Sequence, residues 1–179
     1  MRAPTALAQA AYAHGVAIEA SDPVAGRSHL WRAVELATDA GNRWVEAFAR
    51  TEVLWIDARL GRVESSLHGY RQVVETWYRG GDWANQWLSV RHVAGILGQL
   101  GDDEAVAVIQ GPLAAVRATQ ALPFEPADAA RLRVALSQAR QRLGGTGYEM
   151  LVGRGAAMED HELVAYALDR IDRALTRHP

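Results

Sequence analysis

An all-α fold is what this sequence predicts, and three observations predict it. Apolar residues recur at alternating steps of four and three, as in Trp83, Trp87, Val90, Ala94 and Leu97, which is one stripe of a helix. Glycines punctuate the chain at intervals of several turns, at Gly41, Gly61, Gly80-Gly81 and Gly101, where a helix needs a left-handed stop. No stretch of useful length alternates with period two, so no strand is expected.

The elements follow in order. Ala3-Pro4-Thr5 opens a first helix with proline at its first position, where a missing N–H is harmless, and Leu7, Ala11, His14 and Ile18 share one face. Ser21-Asp22-Pro23 restarts the chain: Asp22 caps, Pro23 is the first helical residue, and Leu30, Val34 and Ala37 form the stripe. Gly41-Asn42 stops that helix, and a third runs over Arg43 to Leu60 on Trp44, Phe48, Thr51, Trp55 and Ala58. A fourth, from Val63 to Tyr78, carries Val63, Leu67, Tyr70, Val74 and Trp77 and ends at Gly80-Gly81.

Asp82 then caps a helix that lasts to Gly101. Val93, Ile96 and Leu100 widen its stripe to a second flank, so this helix must lie between others. The next starts near Asp102 with Ala105, Ile109, Leu113 and Val116 in register; Gly111-Pro112 within it predicts a kink or a short second helix beginning at Pro112. Residues 121–126, with two prolines, read as an extended connector. A helix over 127–143 follows, then a mobile loop at Gly144-Gly145-Thr146-Gly147, a short helix at Tyr148 to Leu151, and a last helix over 159–176 on Leu163, Ala167, Ile171 and Leu175.

The chain also repeats. Asp22, Gly61 and Gly101 open the second helix of three successive pairs, 39 and then 40 residues apart, and Val34, Val73 and Leu113 recur at the same intervals. Trp44 and Trp83 are 39 apart. Helix pairs at about 4–40, 43–80 and 82–121, with C-terminal helices at 127–143 and 159–176, predict a single domain over residues 1–179. The architecture expected is a right-handed, tetratricopeptide-like solenoid of helical hairpins with a period of 39–40 residues, longer than the usual repeat of about 34. A compact helical bundle is the competing arrangement.

Composition narrows the function. The 179 residues lack cysteine, which removes disulfides, thiolate nucleophiles and cysteine zinc sites and suits a cytoplasmic location. Lysine is absent too, so all 19 cationic residues are arginines; a Walker lysine, a Schiff-base lysine and a lysine general base are excluded. A net charge of -2 exerts no global attraction for nucleic acid or anionic membrane. The alanine-rich segment from Met1 to Ala20 is interrupted by Gln9, His14 and Glu19 and has no leucine-rich signal core, and no window of eighteen apolar residues would span a bilayer.

Reactive constellations are not evident. His14, His29, His68, His92, His161 and His178 show no i, i+3 or i, i+4 pairing, so no metal site is expected. Asp102-Asp103-Glu104 and Glu159-Asp160 with Glu162 fall in first helical turns, where the helix dipole favours carboxylates and capping accounts for them. The glycine run at Gly144 lacks the strand and lysine of a phosphate loop. Arg131 and Arg142 point to one side of their helix and Arg133 and Arg140 to the other, which predicts a solvated helix, not a basic stripe for nucleic acid. Most tryptophans should be core; Trp83, Trp87 and Arg91 are the candidate binding residues, since indole and guanidinium supply strong contacts to a peptide or small ligand. Arg91 is otherwise expected to pair with a carboxylate or carbonyl between helices.

Asp82-Trp83, Gln86-Trp87, Arg91, Leu97, Leu100-Gly101, Glu104-Ala105 and Gly111 resemble the C-terminal tetratricopeptide-like region of large actinobacterial ATP-binding transcriptional regulators of the LuxR type. These are related to maltose-regulon activators and to AAA-ATPase regulators fused to adenylate cyclase domains. Asp22-Pro23, Ala37 and Gly41-Asn42-Arg43 fit an earlier repeat, and Gly147-Tyr148 through Gly153, Gly155, Glu162 and Val164 to Leu168 fit the closing segment. The resemblance implies a nucleotide-binding domain upstream and a helix-turn-helix downstream, neither within these residues. It therefore implies a non-catalytic sensing or interaction module without a cofactor, binding a protein partner or a second copy of itself. The alternative it allows is an inducer sensor with a small molecule in the concave groove; an all-α enzyme is the least supported reading.

Overall fold

The computed structural model describes residues 4–119 and 126–177, and all regular secondary structure among them is helical. The order is α1 (Pro4–Glu19), α2 (Pro23–Asp39), α3 (Arg43–Arg59), α4 (Val63–Gly80), α5 (Trp83–Gln99), α6 (Asp103–Thr119), α7 (Pro126–Leu143), α8 (Gly145–Ala156) and α9 (Asp160–Arg177). The connector expected at 121–126 lies outside the described residues, apart from Pro126, which opens α7.

One turn design sets the cadence from α2 to α6. Gly41, Gly61, Gly81 and Gly101 have φ of 66°, 82°, 67° and 79° and stand 20 residues apart. At each, the residue after the glycine donates its N–H back to the carbonyl five positions earlier: Asn42 to Ala37, Arg62 to Asp57, Asp82 to Trp77 and Asp102 to Leu97, at 2.8–3.1 Å. That is the six-to-one bond of a Schellman stop. The same residue then opens the next helix, because the side chains of Asn42, Asp82 and Asp102 accept from the N–H groups of Val45, Asn85 and Ala105. A single position closes one helix and caps the next, so the turn needs only two or three residues. The cadence puts Ala33, Val53, Val73, Val93 and Leu113 at equivalent positions, and all five are buried. In this register Ala33, not Val34, corresponds to Val73 and Leu113.

The helices divide into two compact units, Met1–Val73 and Val74–Pro179. In the first, α1 packs on α2 and α3, and α2 on α3. Leu30, Val53 and Ile56 form one buried cluster, Ala33, Val34 and Ala49 another. Buried Asp57 near the end of α3 receives Arg27 of α2 through Nε (2.6 Å) and Nη2 (3.1 Å), and Arg62 at 2.8 Å. Ser66 and Tyr70, both buried on α4, donate to the carbonyls of Leu54 and Thr51.

In the second unit α5 is the axis. Gln86, Trp87 and every residue from Ser89 to Gly98 are buried, and α6, α7 and α9 pack around it. The double apolar flank of this stretch requires such enclosure, since each Val, Leu or Ile buried contributes about 1.5–3 kcal/mol.

Two sequence expectations need correction here. Of the kink or second helix expected at Gly111-Pro112, the second helix does not form: α6 is continuous from Asp103 to Thr119 with Pro112 inside it. Proline removes the N–H that Val108 O would accept, and that carbonyl faces α8 instead, 1.8 Å from where a Cβ on Gly155 would stand. Only glycine permits that approach. The loop expected at Gly144 to Gly147 is likewise mostly helix: Gly144 alone, at φ 73°, forms the turn, and α8 begins at Gly145. Close packing on α6 through Gly111 and Gly155 overrides the weak helix preference of a glycine run.

Candidate functional site

Trp83, Trp87 and Arg91 lie along one side of α5 at four-residue steps, yet they do not form one surface. Trp83, at the first turn, is 39% exposed, whereas Trp87 and Arg91 are 7% and 5% exposed. Arg91 Nη2 lies 3.3 Å from Nε2 of His92, which is also buried. Burial, and secondarily the neighbouring Arg91 charge, push the His92 pKa well below its usual value. A neutral ring with Nε2 as acceptor carries its proton on Nδ1. These two residues belong to the interior, and Trp83 alone of the three reaches an open cleft.

That cleft, of about 770 Å³, is lined by Tyr78, Trp83, Met158, Glu159, Asp160 and His161. The Gly81 turn brings the last turn of α4 against the first of α5, so that the Tyr78 and Trp83 rings meet edge to face at 6.0 Å. Met158 comes from the turn after α8, and the acidic wall from the start of α9. There Glu162 reaches back to accept the Glu159 N–H at 2.9 Å, a capping contact that occupies its carboxylate. Among the described residues the Glu159 carboxylate has the His161 ring as its one ion-pair neighbour, Nδ1 at 3.4 Å, and Asp160 makes no ion pair. The sequence gives no sign that these residues meet Trp83, because the approach spans more than seventy positions and depends on how α9 packs along α5.

A second acidic helix start has the opposite character. Asp102 caps α6, as capping predicts, but the turn also collects arginines from three later helices. Arg170 of α9 is bidentate on Asp102, Arg142 of α7 contacts Asp103 through Nε (2.5 Å) and Nη2 (2.6 Å), and Arg154 of α8 reaches Glu104 at 2.9 Å. The Tyr166 ring lies 5.4 Å from the Arg154 guanidinium and 5.8 Å from that of Arg170. Arg140, exposed to solvent as expected, also pairs with Glu149 and lies 5.5 Å from the Tyr148 ring. A smaller hollow of about 300 Å³ borders this cluster, with Asp102, Asp103 and Glu104 in its wall already taken by arginines.

No group of three or more potential metal-ligating side chains occurs among the described residues. His14 and His29 do meet in the first unit, ring centroids 4.2 Å apart, a pairing that helix-internal spacing does not reveal. Among the described residues no helix is long and apolar enough to cross a membrane. Compared with known proteins, the chain matches no protein family, no curated protein and no solved structure.

Proposed function

We propose that this chain is a non-catalytic interaction and signal-sensing module, built of tetratricopeptide-like helical hairpins and serving a cytoplasmic transcriptional regulator of the LuxR type. The observation that carries the reading is the Tyr78–Trp83 pair, two large rings left at an open cleft although most other described aromatics in their unit are buried. Exposed aromatic pairs of this kind are recognition surfaces, because they supply much contact area at little conformational cost. The 20-residue cadence of turns supports the hairpin reading, and the resemblance in sequence supports the regulatory context.

Benzoylphenylalanine placed at Tyr78 tests this in the native host. A photo-adduct at a discrete higher mass, heteromeric or dimeric, is expected from position 78 and not from exposed Met150. Only the uncrosslinked monomer at both positions would overturn the reading.

The cleft volume also falls within the range of small-molecule sites, which favours an inducer-sensing module as the second reading. A metabolite-dependent rise in melting temperature that Trp83→Ala abolishes would select it.

A further inference from the structure

Resting on the cleft as the recognition surface, we infer that its occupant is an arginine side chain presented by a peptide segment of the partner protein. The molecule contains its own precedent. At the start of α6, carboxylates of a first helical turn take guanidinium groups from other helices, and Arg154 and Arg170 flank the ring of Tyr166. The start of α9 lines one cleft with the same parts: the carboxylates of Glu159 and Asp160, and the rings of Tyr78 and Trp83. What differs is occupancy. No arginine of the described residues pairs with Glu159 or Asp160, whereas Asp102, Asp103 and Glu104 each hold one.

The charge of the cleft selects the sign of the occupant, and its rings select the head group. Two carboxylates, with His161 as the one basic side chain of the lining, beside a neutral aromatic floor favour a cation. A guanidinium satisfies both walls at once, stacking its plane on indole or phenol while directing its N–H fork at a carboxylate, which an ammonium cannot do. The positive pole of α9 opposes a cation, but Glu162 already answers it by accepting the Glu159 N–H. The volume, about 770 Å³, exceeds what one guanidinium fills, and Met158 offers an apolar shelf for the adjoining chain. An extended peptide carrying the arginine fits this shape; a free cation would leave most of it to water.

The test uses the ¹⁵N-labelled full chain and the indole N–H resonance of Trp83, identified by its loss in Trp83→Phe. A blocked glycine-serine peptide carrying one arginine is titrated beside the same peptide with citrulline, and beside arginine amide alone. The arginine peptide is expected to move the Trp83 resonance saturably and at least ten-fold more tightly than either comparator. Glu159→Gln with Asp160→Asn, both exposed and outside the core, should weaken it at least five-fold while the remaining spectrum stays dispersed. A response to citrulline equal to that for arginine would overturn the inference while leaving the cleft an interaction surface. Equal affinity for arginine amide would replace the peptide by a small cation, and a Trp83 resonance that none of the probes moves would overturn the inference as well. An adduct from position 78 in the native host keeps the interaction reading in each of these cases, so the two can fail separately.

Discussion

Two acidic helix starts in the same unit have almost the same chemistry and opposite states. The first turn of α6 spends its three carboxylates on arginines 39, 50 and 68 residues away, and so ties α7, α8 and α9 back to it. The first turn of α9 ties back no arginine among the described residues; its Glu159 and Asp160 stand at an open cleft beside exposed aromatic rings. The difference teaches that first-turn carboxylates have two separable roles, closure of the fold and display, and that an arginine supplied by another helix separates the two. Arg170 is almost fully buried and fixed, so its pair is structural. Among the described residues no comparable arginine reaches Asp160.

The comparison breaks most readily at Asp102. Asp102→Ala removes a helix cap and leaves buried Arg170 with weaker compensation, so urea unfolding should show a loss of about 3–5 kcal/mol, whereas Asp160→Ala should stay within about 0.5 kcal/mol. Equal losses would erase the distinction. Gly155→Ala should rank close behind, at about 3 kcal/mol, since its Cβ would overlap the Val108 carbonyl and push α8, with Arg154, off α6. In the first unit Gly26→Ala meets Glu19 Cα at 2.7 Å, a milder overlap, and about 1–3 kcal/mol is expected; hydrogen exchange within each unit separates the two effects.

A pH scan sharpens the comparison by separating His92 from the carboxylates. Burial lowers the His92 pKa in the folded chain, so below about pH 6.5 the unfolded chain binds a proton that the folded one refuses. Stability is therefore complete above that pH and declines by about 1.4 kcal/mol per unit as pH falls toward the folded value. His92→Gln should flatten that segment and leave any carboxylate-dependent loss at lower pH. The smallest effect belongs to the half-exposed Arg154–Glu104 pair: Arg154→Ala should cost roughly 0.2–1 kcal/mol, less still in high salt.

Much of the fold is legible in local signals. Asp22, Gly41, Gly61, Asp82 and Gly101 mark helix ends because stop and cap are short-range chemistry, and the stripe of α5 foretells its enclosure. What sequence misses is set by distance along the chain. The helicity of Gly145 to Ala156 depends on the approach of Gly155 to Val108, which no local pattern encodes. Trp87 and Arg91 share the Trp83 spacing but lie deeper, because a four-residue step fixes the side of a helix and not the depth at which each turn is packed. Of the residues that line the cleft, sequence singles out Trp83, and only packing adds Tyr78, Glu159 and Asp160 to it.

The most direct test of the filled and open helix starts is an intermolecular nuclear Overhauser experiment on the full chain with the arginine peptide. The account predicts contacts from the peptide arginine Hδ protons to the rings of Trp83 and Tyr78. Contacts to Tyr166 instead, beside the turn already occupied, or to no aromatic ring of the protein, would contradict it.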